Sequence, residues 1–157
     1  MSFHTPQHDH RSCTEELLVR AESLCARRGA RLTGQRRDVL ECVARSHAAV
    51  GAYEVIERMA DHGPRPAPIT VYRALDFLVA HGLVHKIESR NAYVACSHSH
   101  EDIPAALLVC EGCGVVSELD ASETFQSLDR RAKGQGFKSE RMVLELAGKC
   151  GDCAKAA

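Results

Sequence analysis

Four cysteines carry the clearest chemistry in this 157-residue chain: CEGC holds Cys110 and Cys113, and CGDC holds Cys150 and Cys153. Two thiolates separated by two residues can bend around one ion, and two such knuckles complete a tetrahedral four-sulfur shell that favours zinc. Gly112, Gly114 and Gly151 let the backbone turn tightly about the sulfurs. The 36 residues between the knuckles exceed the roughly 15 to 20 of a usual zinc ribbon, so an intervening strand, helix and strand must bring the ends together. A closed four-thiolate shell has no open position for water or substrate, which makes this a structural site. The competing readings are a redox dithiol and unrelated core cysteines.

A second, softer group comprises His85, Cys96, His98, His100 and Glu118. Strand alternation puts His85 with Leu83 and Ile87, and Cys96 with Ala92 and Val94. One thiolate, one or two imidazoles and a carboxylate suit zinc. Spacing alone leaves a zinc shell and scattered polar residues in a linker both open. A third group is the helix face of Tyr72, Arg73 and Asp76. An arginine near the start of a recognition helix can reach guanine in the major groove, and a neighbouring tyrosine a phosphate or a thymine methyl. Arg36 and Arg37 open another helix, whose positive end suits a phosphate. Both faces also fit plain solvated helix surface.

These groups need elements to hold them. Residues 1–13, with His4, His8 and His10, show no hydrophobic pattern and read as a tail. From Thr14 the stripe Leu17, Ala21, Leu24 and Cys25 predicts a helix ending near Gly29. Thr33 caps a second helix with Val39, Leu40, Cys42 and Val43 inward. A third, around Ala52–Asp61, is expected to bury Tyr53, Ile56 and Met59 before GPRPAP breaks it. The stripe Val71, Leu75, Leu78 and Val79 predicts a fourth helix closed by Gly82, and LVHKIE and NAYVAC predict a hairpin from Leu83 to Cys96 around SRN. That order is a winged helix-turn-helix. After a hinge at 97–105, strands are expected at Leu107–Val109 and Val115–Leu119. A helix follows, with Asp120 and Glu123 at capping-box spacing and Phe125, Leu128 and Ala132 inward. Gly134 and Gly136 stop it, and Met142, Leu144 and Leu146 alternate in a last strand. The expected fold class is therefore α+β, a winged-helix DNA-binding domain over 14–96 followed by a small α/β dimerisation domain over 106–157. So small a second unit buries little surface and calls for metal, a second subunit, or both.

Composition narrows the class. Hydrophobic residues make up 45% and charged residues 26%, an ordinary globular balance, and no apolar run approaches the ~18–20 residues of a membrane span. Net charge is -1, so charge does not advertise nucleic acid. Residues 1–95 nonetheless hold 13 basic against 11 acidic groups and the remainder 7 against 10, which puts any phosphate contact in the first part. Eight cysteines with no secretory-type leader point to a reducing cytoplasm and to metal rather than disulfides. With no tryptophan and 4% aromatic residues, a base-stacking platform for single strands is not expected.

RLTGQRRDVL, TVYRALDFLVAHGLVHKIES, YVAC and the two knuckles together resemble the ferric uptake regulator family, over about residues 15 to 153, and Cys96 in YVAC points to its zinc uptake branch. The resemblance implies a homodimeric, zinc-responsive repressor of zinc-uptake genes on inverted-repeat operator DNA, with two zinc ions per subunit, no organic cofactor and no enzymatic activity. Cys110, Cys113, Cys150 and Cys153 would hold the structural zinc, and His85, Cys96, His100 and Glu118 the regulatory one, with His98 as substitute for His100. Thr70, Tyr72 and Arg73 of TVYR, with Arg36, would contact DNA. Gly34 replaces the proline usual in LTPQR, the connector CSHSHEDIPAALLVC departs from the family's histidine spacing, and only four residues follow CGDC. The alternative is a peroxide- or thiol-responsive, or an iron- or manganese-responsive, regulator on the same scaffold. A catalytic zinc site formed by His85, Cys96 and a histidine lacks a further acid-base pair. A zinc buffer would leave the Tyr72 and Arg73 face unexplained.

Overall fold

A computed structural model describes residues 10–96 and 104–156. They form two compact units, the first ending at the wing and the second holding both cysteine knuckles.

In the first unit, α1 (His10–Arg27) begins before Thr14, so residues 10–13 are helical and not part of a tail. Helix propagation adds one hydrogen bond per residue once a turn exists, and the packed Leu17–Leu18 turn supplies that start. Gly29 ends the segment at φ +63, a conformation that favours glycine. The Thr33 side chain accepts from the Arg36 amide and starts α2 (Gly34–Ala44), as expected, and Gly34 occupies the first turn without breaking it. Val39, Leu40 and Val43 are fully buried. A two-residue strand, β1 (Val50–Gly51), which no periodicity reveals, precedes α3 (Ala52–Ala60). Helix α3 buries Ala52, Val55 and Ile56, whereas Tyr53 is 66% exposed. This corrects the expected stripe: Tyr53 lies about 100° round the helix from Ala52, and the face toward the core is the one that Ala52 shares with Val55 and Ile56.

Pro68 sits in the first turn of α4 (Pro68–Ala80), where its missing N–H costs no helical bond. Val71, Ala74, Leu75 and Leu78 face the core, and Gly82 at φ +69 turns the chain into β2 (Val84–Ile87). A 3-10 turn over Glu88–Arg90 and a left-handed Asn91 lead into β3 (Ala92–Ala95). The three-stranded wing has the order β1-β3-β2, antiparallel throughout.

In the second unit, β4 (Ala105–Cys110) pairs antiparallel with β5 (Val116–Asp120) and parallel with β6 (Glu145–Gly148). Helix α5 (Ser122–Gly134) makes the crossover, and α6 (Gly151–Lys155) closes the chain. The expected capping box is displaced: Ala121 is the N-cap, and Asp120 Oδ1 accepts from the Ser122 amide and hydroxyl instead. Ala106, Ala121 and Phe125 form a small core with Met142 and Leu144 against it. Leu128 is exposed, which corrects the expectation that it faces inward, and Leu146 is exposed as well. One short helix over three strands leaves apolar surface uncovered.

Candidate metal centres and recognition helix

The parallel pairing of β4 with β6 solves the long spacing between the knuckles. Cys110, the last residue of β4, lies beside Gly148, the last of β6, so the CEGC turn and the Cys150 turn leave the same sheet end. The Glu111 amide donates to the Gly148 carbonyl at 2.7 Å and ties the two turns together. The first knuckle is closed by the Cys110 amide donating to Val115 and the Gly114 amide to Cys110, with Gly114 at φ +75. The second is opened by Cys150 as N-cap of α6, its sulfur accepting from the Cys153 amide.

All four ligand sulfurs lie within 4.8 Å of one another. The Cys150 amide donates to Cys110 Sγ at 3.2 Å, and Cys113 Sγ and Cys150 Sγ are 3.8 Å apart. Hydrogen bonds from the Cys113 and Cys150 amides hold the Cys110 thiol down to about 6. The neighbouring Cys150, Cys110 and Cys113 sulfurs push Cys153 up to about 12. At Cys113 the Val115 backbone pulls downward, but burial and the flanking thiols outweigh it and leave the group raised. Four crowded thiols cannot all ionise without a cation among them, and such a cation releases their protons on binding. A Cβ at Gly112 would come within 2.8 Å of Cys153 Sγ, so the first turn is packed directly against the second. The donor set fits zinc, and four converging thiols leave no open position for water or substrate.

Of the softer group, two members belong to the wing. His85 pairs with Val94 across β2 and β3, and the Cys96 amide donates to Leu83 O at 3.0 Å. Leu83, His85, Val94 and Cys96 therefore share one sheet face, as alternation predicts. A ring nitrogen of His85 and the sulfur of Cys96 lie within 4.8 Å of each other. Glu118 is half-buried on β5 in the second unit, opposite Leu107. His98 and His100 lie outside the described residues.

On α4, Arg73 and Asp76 are exposed, Thr70 lies in the first turn, and Tyr72 is half-buried with its ring against the core. Ile69, 58% exposed, stands one turn before Arg73 on the same face and was not singled out from the sequence, where it reads as an ordinary apolar helix position. Arg36 is engaged within the protein: its guanidinium lies 3.5 Å over the Phe77 ring and donates to the Arg31 carbonyl at 2.6 Å. Phe77 in turn stacks on His81. Arg37 pairs with Glu22 of α1. No sequence signal announces the Arg36–Phe77 contact, whose members stand 41 residues apart on different helices.

Helix-turn-helix and wing in one unit, and a four-thiol metal centre in the other, define the class of metal-dependent winged-helix regulators. The chain belongs to the ferric uptake regulator family, whose profile matches residues 27–147. Members of this family are transcription regulators and not enzymes. The chain is 38% identical over 146 residues to the zinc uptake regulation protein of Escherichia coli (strain K12), covering 92% of this chain and 85% of that one. Among solved structures it resembles a zinc uptake regulator complexed with zinc and DNA, with a TM-score of 0.86 and 38% identity over 91% of this chain and 96% of that chain. It also resembles the holo form of XcZur, with a TM-score of 0.82 and 40% identity over 90% and 99%. Among the described residues no helix is long and apolar enough to cross a membrane.

Proposed function

We propose that this protein is a zinc-responsive repressor that binds inverted-repeat operator DNA as a homodimer when zinc-loaded, in the cytoplasm, and so represses zinc-uptake genes. The observation that carries the reading is the convergence of His85 and Cys96 on one face of the wing, a nitrogen and sulfur donor pair suited to zinc, in a chain similar to a regulator complexed with zinc and DNA. Cys110, Cys113, Cys150 and Cys153 hold one structural zinc per subunit. His85, Cys96, Glu118 and His100, or His98 in its place, hold a second, regulatory one. Thr70, Tyr72 and Arg73 contact operator DNA, Arg73 reading a base edge, with Arg36 as an additional contact at the start of α2.

In this reading, ion binding favours the form in which the two recognition helices of a dimer are spaced for an inverted repeat. Ligands that bind the ion about 100-fold tighter in the DNA-competent form shift the equilibrium by about 2.7 kcal/mol, and DNA tightens zinc binding by the same factor. The exposed Leu119, Leu128 and Leu146 of the second unit support a dimer, because so small a unit gains stability by covering apolar surface with a partner.

The test is binding to inverted-repeat duplexes selected from a random pool, titrated against buffered free zinc at one fixed salt concentration. Tight selective binding that rises with zinc supports the proposal. Binding indifferent to zinc, or lost under mild peroxide at constant zinc, overturns it in favour of a thiol-responsive regulator.

A further inference from the structure

We propose that Arg20 is a positioning residue for the Cys96 thiolate at the regulatory zinc site, an inference that rests on the assignment of Cys96 made above. Cys96 follows the last residue of β3, just beyond the regular hydrogen bonding of the wing. Its amide donates back to Leu83 O at 3.0 Å, which ties one end of the residue to the strand entering β2. Its carbonyl is reached from elsewhere: Arg20 Nη2, 76 residues earlier on α1, donates to Cys96 O at 2.6 Å. The residue is thus held on both sides of its Cα, and only rotation about χ1 is left to place the sulfur.

Arg20 is well founded for this task. Its neighbours Leu17, Ala21 and Leu24 are buried, so the backbone that carries the guanidinium is packed into the unit. The guanidinium itself is half-buried and directed to a neutral carbonyl, a charge-assisted contact stronger than an ordinary amide hydrogen bond. Zinc tolerates little error in this placement, since Zn–S and Zn–N distances of ~2.3 and ~2.0–2.1 Å must be met together. With the Cys96 backbone fixed from α1 and His85 fixed in β2, the two donors are arranged before the ion arrives. A groove lined by Asp38, Glu41, Met59 and His62 offers no comparable convergence, because His62 there contacts the Arg45 guanidinium.

Outer-shell partners of metal ligands typically contribute 10- to 100-fold in metal affinity. The experiment adds cobalt(II) to full-length protein that retains zinc at the four-cysteine centre, and follows the thiolate-to-cobalt charge-transfer band together with the d–d intensities. Arg20→Met is expected to weaken cobalt binding about tenfold or more and to alter the d–d intensities, while Arg20→Lys, which keeps a long cationic donor, recovers most of both. The zinc held at the four-cysteine centre should match the wild type, and metal-free Tm should fall by no more than the loss of one hydrogen bond explains, with Arg20→Lys recovering it. Wild-type affinity and spectrum in Arg20→Met overturn the proposal. So does a parallel loss of metal-free stability and cobalt affinity that Arg20→Lys does not restore, since that marks a purely structural contact. If Arg20→Met does not fold, the shorter donor in Arg20→Gln carries the same comparison. A charge-transfer band that survives Cys96→Ser overturns the assignment of Cys96 itself, and the role of Arg20 with it.

Discussion

Replacing Gly112 by alanine tests how the four-cysteine centre is built. The added Cβ would stand 2.8 Å from Cys153 Sγ, 3.0 Å from Cys153 Cβ and 3.7 Å from Cys110 Sγ. The first distance is about 1 Å inside an ordinary contact between such atoms, for which ~3.5–4.0 Å is optimal. Cys153 cannot yield freely, because it is one of four cysteines whose sulfurs already lie within 4.8 Å of one another. Moving it, or the CEGC turn, by even half the overlap takes a Zn–S bond outside its tolerance of ~0.2 Å. Overpacking of this kind costs about 1–3 kcal/mol, equivalent to roughly 5- to 150-fold in zinc retention. The control is Gly151→Ala in the other knuckle, where an added Cβ meets nothing within 4 Å. Both variants are loaded with zinc and challenged with rising concentrations of a chelator, with release read by a chromophoric indicator. Gly112→Ala should release its structural zinc at markedly lower chelator and unfold at lower temperature, with Gly151→Ala close to wild type. Equal retention in both variants would refute the argument that direct packing of one knuckle on the other sets the site.

Arg73→Ala should weaken operator binding by about 1–3 kcal/mol with zinc stoichiometry unchanged, measured on specific and random duplexes side by side. An equal loss on random DNA would assign Arg73 to phosphate instead of a base. Cys96→Ser should lower zinc-dependent DNA binding in a folded protein, whereas Cys113→Ser should damage folding or dimerisation, read by circular dichroism and sedimentation, because zinc binding at a structural site is folding energy. A stable dimeric Cys113→Ser protein would contradict that division. In zinc-stripped protein, stability should rise with pH between about 6 and 9.0, since the folded state releases the Cys110 proton before the unfolded chain does. It should fall between 9.0 and about 12, where folded Cys153 holds its proton longer than the unfolded chain. Denaturant titrations across that range show a maximum near the ordinary thiol value, and a flat profile would remove both thiols from the account.

What could be read without coordinates was whatever is encoded locally. Val39, Leu40 and Val43 repeat at helical spacing, Thr33 stands at a cap, Gly82 closes a helix, and alternation places His85 and Cys96 on one face of a hairpin. Each of these rests on backbone geometry within one element or one tight turn, which the order of residues specifies directly. The two knuckles were legible for the same reason, because two residues of spacing suffice to define each.

Tertiary structure decided everything that depends on a neighbour distant in sequence. Whether Tyr53 is buried depends on which side of α3 meets the core, and Leu128 and Leu146 are exposed because one short helix does not cover three strands. The two-residue β1 exists because β3 pairs with it. Arg36 stacks on Phe77, and Arg20 reaches the Cys96 carbonyl, through side chains that meet only after the helices have packed. Even the four-cysteine centre, whose ligands the spacing names, owes its closure to the parallel pairing of β4 with β6. Local periodicity identifies elements and ligands, but the faces they turn to one another come from non-local burial and pairing, which no short window of sequence contains.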